Sequence, residues 1–207
     1  GYESPPGIGF SNRLERFDAA AGSWSMEQFG VPRTGSVGAA VPGRVMFAGG
    51  YDASSAHADV EMGRPALGAA YCAPTTPNSS GLPGEMSAVG SDLASVNDVG
   101  LRASSLPLNS FGFFLASQTA GFTANPGGSQ GNLCLGGQIG RYSSFAQSSG
   151  ATGTLSLAID LTAIPDPVQG SVPAQAGETW HFQAWHRDSS MGPPTSNLTN
   201  GLEILLR

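Results

Sequence analysis

The chain has 207 residues, a net charge of −6 and only 12% charged residues, about half the usual charged fraction. Its nine basic residues are all Arg, spread without a cluster, which weighs against nucleic acid and anionic membrane surfaces as partners. No run of 18 apolar residues occurs, so no membrane-spanning helix is expected.

Thirty Gly and fifteen Pro punctuate the sequence. Both break helices and mark turns, so the composition points to an all-β chain with many loops. A hydrophobic content of 40% in alternating runs argues against disorder. The sequence opens on Gly1-Tyr2-Glu3 without an initiating Met and so reads as a processed product or a piece of a longer chain.

The first elements in order are a strand, "NRLERFD", a tight connection, "DAAAGS", and a strand carrying Trp24. A loop with Pro32 and Arg33 follows, then a small-residue strand, "GSVGAAV". The last is an apolar strand, "RVMFAGG", bounded by turn signals as a buried strand should be. The opening Gly-Tyr-acid triplet recurs at Gly50-Tyr51-Asp52, and a spacing of about 50 residues is the length of a kelch repeat. On Phe17, Asp18, Gly22, Trp24, Pro32, Arg33, Gly49, Gly50 and Tyr51, residues 1–62 resemble one kelch repeat. The resemblance implies a blade of a partial β-propeller. A lone blade would leave apolar faces uncovered and edge strands unpaired, so it implies self-association or further blades.

From Arg64 the pattern changes to a Pro/Gly/Ser-rich connection containing Cys72. Strand-like segments then recur: "EMSAVGS", "VGLRASSLP", "SFGFFLASQ", "GNLCLGGQIGRYSSF", "GTLSLAIDL", "TWHFQAWHRD" and "GLEILLR". Leu155, Leu157, Ile159 and Leu161 share one face of their strand. Trp180, Phe182 and Ala184 oppose His181, Gln183 and Trp185. Short alternating strands at this density make a β-sandwich or jelly roll the expectation. The anchors Tyr71, Cys72, Pro77, Asn78, the stretch 125–142, Trp180 to Asp188 and 196–202 resemble a C-terminal module of secreted proteins from planctomycete-type bacteria. That module implies no particular activity. The expected organisation is a kelch-like β segment over 1–65 and a β-sandwich over 66–207.

Cys72 and Cys134 are the two cysteines. A lone pair without CxxC spacing, in a chain of this composition, fits one disulfide formed in an oxidising compartment, and two separate thiols are the alternative. His57 lies in a polar loop, and His181 and His186 fall on opposite faces of one strand, so they do not make a metal set. "GGSQG" at Gly127–Gly131 lacks the helix and Lys of a phosphate loop and reads as a tight turn. Asp92, Asn97, Asp98 and Asp188 leave loop calcium open, without EF-hand spacing. Trp180 or Trp185, with Tyr142 and Phe113, could offer rings to a glycan or a protein partner. Neither Cys lies in the kelch-like part, so copper-radical chemistry of the galactose-oxidase type is not available. The sequence therefore reads as a secreted or surface β-protein, not an enzyme, without cofactor. Its expected work is self-association or contact with another extracellular protein, as an adhesion, filament or surface-layer component. The alternatives are the end of a secreted kelch enzyme or a carbohydrate-binding module.

Overall fold

The computed structural model describes residues 11–18, 23–189 and 195–207. The chain divides into two compact units, Gly1–Arg64 and Pro65–Arg207. Among the described residues, helical structure is limited to four three-residue 3-10 turns, and no helix is long and apolar enough to cross a membrane.

The first unit holds β1 (Ser11–Asp18), β2 (Ser23–Arg33), β3 (Val37–Val41), β4 (Arg44–Ala48) and β5 (Val60–Gly63). β1 and β2 pair antiparallel as a two-stranded sheet with Phe17 opposite Trp24. β3, β4 and β5 form a separate antiparallel sheet in chain order. β3 and β4 are joined through Pro42-Gly43, with Gly43 at φ 76°, where a Cβ would be strained.

The strands over "NRLERFD", Trp24, "GSVGAAV" and "RVMFAGG" are present, but Pro32 and Arg33, expected in a loop, end β2, β5 is added, and the pairing is not that of a blade. A propeller blade is one four-stranded sheet, and here β2 never ladders with β3. After Arg33 the backbone of Thr34 bonds in both directions with Tyr51, at 3.0 and 2.9 Å. Gly35 then turns at φ 72°. These contacts end the β2 ladder before β3 begins. The kelch blade and partial propeller are therefore corrected to two small antiparallel sheets. The Gly1-Tyr2-Glu3 triplet, Gly22 and the Ala19–Gly22 turn lie outside the described residues.

The second unit begins with β6 (Ala66–Leu67), β7 (Ala69–Tyr71), β8 (Glu85–Gly90), β9 (Val99–Ser104), β10 (Phe111–Ser117), β11 (Thr119–Ala124) and β12 (Asn132–Gly136). It continues with β13 (Gly140–Arg141), β14 (Gln147–Ser148), β15 (Leu155–Ile159), β16 (Ile164–Asp166) and β17 (Gly170–Val172). β18 (Thr179–Asp188), β19 (Thr195–Leu198) and β20 (Gly201–Leu205) complete it. A seven-stranded sheet runs β13-β10-β18-β20-β7, with β14 beside β10 and β19 beside β18. A four-stranded sheet runs β15-β9-β8-β6, and β11-β12 and β16-β17 are two-stranded.

One core joins the two larger sheets. Met86, Leu101, Leu155 and Ile159 meet Phe114, Trp180, Phe182 and Ile204. Full burial of such side chains contributes about 1.5–3 kcal/mol each. The opposite face of the seven-stranded sheet carries a smaller cluster of Leu115, Leu135 and Leu198, flanked by Phe113 and Trp185. β12 contributes to that cluster, so β18 is covered on both sides. Gly201 is required at its place, because a Cβ there would lie 2.3 Å from the Tyr71 ring.

The chain is thus all-β, as its composition indicates, but built of several small antiparallel sheets. None closes into a barrel or propeller or curls strongly. The blade-plus-sandwich or jelly-roll architecture is corrected accordingly. The physical reason is that many added strands are two or three residues long, and they divide the chain among six sheets.

Candidate functional site

The Cys72–Cys134 disulfide is present, with Cα atoms 6.2 Å apart. It ties the end of β7 to β12. Around it, Tyr71 donates to the Cys134 carbonyl at 2.9 Å. Burial, with Glu203 nearby, pushes the Tyr71 hydroxyl up to about 12, so it stays a donor at neutral pH.

Gln183 anchors the same place from β18. Its Oε1 accepts from the Cys134 N–H at 2.9 Å. Its Nε2 donates to the carbonyls of Asn132 at 2.9 Å and Thr199 at 2.7 Å. A fully buried amide thus satisfies three backbone groups at once. Its alternation in "TWHFQAWHR" gave its face, but no sequence signal showed that β12 would cover it.

The sequence-chosen aromatics separate. Trp180 is 3% exposed and Tyr142 4% exposed, both in the main core. Neither presents a ring face for a glycan to stack on. Trp180 Nε1 donates to Glu178 at 3.0 Å. Trp185 and Phe113 are half-buried on the other face, with ring centroids 5.0 Å apart and planes tilted by 31°. Their rings therefore pack on each other. Beside Trp180 lies an open cleft of about 580 Å³ whose polar wall includes Gln118, Gln138, Gln169 and Gln175. Its acidic groups are committed to the fold: Asp166 accepts from Val168 and Gln169, and Glu178 from Gln175 and Trp180.

The histidines do not converge. His57 Nε2 lies 3.0 Å from Asp52 and its Nδ1 3.5 Å from Asp59. His181 packs edge-on against Tyr71. His186 is fully buried, and its Nδ1 lies 3.1 Å from the Arg187 carbonyl oxygen. A carbonyl can only accept, so Nδ1 carries the proton and Nε2 keeps a lone pair, without a partner in the interior. Burial pushes the His186 pKa down, only partly opposed by that carbonyl and by Asp188. Burial works to raise the Asp188 carboxyl, but hydrogen bonds from Ser79, Ser189 and Asn197 hold it below the ordinary carboxylate range.

The calcium candidates are dispersed. Asp92 accepts from Arg207 at 2.6 Å. Asn97 binds Asp160 and the Leu161 N–H, and the Asp98 carbonyl accepts from Ser91. Asp188 sits in a separate cluster with Ser79 and Asn197. Among the described residues, no group of three His, Cys, Asp or Glu is placed to hold a metal ion. The "GGSQG" stretch begins within a 3-10 turn at Pro126–Gly128 and leads into β12.

The feature that stands out as a surface is in the first unit. Register places Val37, Ala48 and Val60 in one row across the three-stranded sheet, Ala39, Met46 and Met62 in the next, and Val41 beside Arg44. Side chains alternate between faces, so all of these share one face. Val37 is 73% exposed, Met62 70%, Val60 56% and Val41 50%. β3 is exposed along its whole length.

The other face carries Glu61, which binds the β2 end. Arg33 donates to Asp59 at 2.9 Å, to Glu61 at 3.1 Å and to the Gly49 carbonyl at 3.2 Å. Glu61 also accepts from the Gly30 N–H at 3.2 Å. The Arg33 hydrogen bond holds the Asp59 carboxyl below its ordinary value. This ion-pair group ties β2 to β5, and among the described residues β3 is the uncovered edge. The alternation of "VEM" encodes the two faces of β5, but the sequence reading did not single out Val60 or Met62.

No family model, no curated protein and no solved structure matches this chain. Neither the kelch repeat nor the secreted bacterial module is supported as this chain's family, and the kelch blade is overturned by the strand pairing described above.

Proposed function

We propose that this is a non-catalytic extracellular β-protein that works by surface contact, in self-assembly or adhesion at the cell surface. The observation that carries the reading is the exposed face of the three-stranded sheet, apolar apart from Arg44, with β3 as an open edge among the described residues. An exposed hydrophobic edge strand invites pairing with another chain. Native edges are commonly blunted by Lys, Pro, inward charge or a bulge. Val37–Val41 has none of these, whereas the β5 side has Glu61 and Asp59 bound by Arg33. The disulfide supports an oxidising compartment and hence an extracellular address.

The test is sedimentation velocity on the full chain from about 1 to 500 µM, in the range of weak protein contacts, beside the variant Val60→Lys/Met62→Lys. Concentration-dependent association that the variant weakens is the expected result. A chain that stays monomeric throughout and binds no hydrophobic dye would refute the reading.

A further inference from the structure

The geometry points to a second copy of this chain as the occupant of the β3 edge, paired antiparallel to β3 about a two-fold axis through Ala39. The inference rests on the surface-contact reading above and names its partner.

The backbone decides which groups are available. β3 and β4 are closed by Pro42-Gly43, with Val41 opposite Arg44. A pair that closes a two-residue connection must be a hydrogen-bonded pair, and bonded and non-bonded pairs alternate along an antiparallel ladder. Val41, Ala39 and Val37 therefore direct their N–H and C=O toward β4. Gly38 and Ala40 direct theirs outward, to the open edge. A second β3 running antiparallel about Ala39 places Gly38 opposite Ala40 of the other copy, twice. That closes about four hydrogen bonds and makes Ala39 opposite Ala39 the non-bonded pair the alternation demands.

The side chains fit the same register. The strand reads Val-Gly-Ala-Ala-Val, close to a palindrome in size. A two-fold through Ala39 sets Val37 against Val41 of the other copy at both ends, on the same exposed face. An isologous contact requires this reciprocity, in which each residue meets its partner's counterpart. No charge on β3 opposes the approach, and no residue in the pairing is larger than Val.

Area selects edge pairing over face-to-face stacking. Three strands of about five residues present roughly 230 Å² of sheet face, well below the about 800 Å² per partner of a standard interface. Two such faces laid together would gain little. Edge pairing adds directional hydrogen bonds and extends the sheet to six strands. The apolar face then roughly doubles, to about 460 Å², a size that is itself often functional.

Three variants of the full chain test the pairing by sedimentation velocity. Ala40→Pro removes an outward N–H that bonds nothing within the sheet, and edge strands tolerate Pro. Val37→Lys/Val41→Lys sets like charges opposite each other in this register. Val37→Lys/Val41→Glu sets opposite charges there. The first two should weaken association at least about tenfold, and the third should stay within about threefold of wild type. Circular dichroism of each variant reports whether the monomer is intact. If Ala40→Pro leaves association unchanged, or the Lys/Glu variant is as weak as the Lys/Lys variant, the β3 pairing is overturned. Association that persists in Ala40→Pro but falls in Val60→Lys/Met62→Lys would sink the pairing and leave the surface-contact reading standing. Absence of any association in wild type would sink the pairing, and if that chain also binds no hydrophobic dye, the surface-contact reading falls with it.

Discussion

Replacing Gln183 with Met should unfold the second unit far more readily, although Met nearly matches Gln in shape. The substitution strands three backbone groups: the Cys134 N–H and the carbonyls of Asn132 and Thr199. A buried polar group left without its partner costs about 1–3 kcal/mol. Carbonyls are the more forgiving, since each has a second lone pair, so the sum falls at about 3–5 kcal/mol. For a unit of this size each kcal/mol is worth about 3–4 °C. The melting midpoint should therefore drop by roughly 9–20 °C. The assay is thermal and urea unfolding of the full chain, followed by near-ultraviolet circular dichroism and Trp fluorescence, with Trp180 and Trp185 as reporters in this unit. Gln183→Glu supplies a sharper arm. An ionised carboxylate can accept from Cys134 but faces two carbonyl oxygens it cannot donate to. Its folded pKa is thus raised, and stability relative to wild type should fall as pH climbs through the ordinary glutamate range. A loss below about 1 kcal/mol for Gln183→Met, with no pH-dependent penalty for Gln183→Glu, would refute the claim that this amide organises β12 on β18.

Two further outcomes are expected. Replacing both Cys72 and Cys134 with Ala opens a loop closed over a separation of 62 residues and should cost about 4 kcal/mol in the chain-entropy picture; urea titration checks it, and a shift under about 1 kcal/mol would go against it. Acidification below about pH 6.5 should destabilise the second unit, because the folded state keeps His186 neutral while the unfolded chain takes up the proton; the loss should grow toward the depressed folded pKa, and His186→Gln should flatten the pH dependence of the urea midpoint.

How much of this was written locally in the chain can be judged strand by strand. The faces of β18 and β15 follow from alternation: Trp180, Phe182 and Ala184 enter the core with Leu155 and Ile159. The disulfide follows from a lone cysteine pair. Partner choice does not follow, because periodicity of two describes which way a side chain points and says nothing of what covers it. Gln183 sits on the face opposite Trp180, Phe182 and Ala184, yet it is fully buried, since β12 closes over it. Strands as short as β6, β13 and β14 carry too few residues for any period to register.

The first unit shows the same limit from the other side. Its β1, β3 and β4 follow the sequence, and so did the likeness to a kelch repeat, because a blade and two separate sheets share much of the same run of strands and turns. What separates them is decided over a few residues. Thr34 pairs with Tyr51, and Gly35 takes a left-handed φ. The Arg33 side chain binds Asp59 and Glu61 while its backbone stays paired with Ser11. Those three events fasten the β5 side of the sheet to β2 and withdraw β2 from β3. The edge strand made of Val, Gly and Ala is therefore a consequence of where one arginine finds its carboxylates. If Arg33→Ala frees β2, the exposure of β5 should rise and Asp59 should return toward the ordinary carboxylate range, which a carboxyl-selective NMR titration would read directly. An Asp59 titration unchanged in Arg33→Ala would mean that the ion pairs do not set which edge stays open.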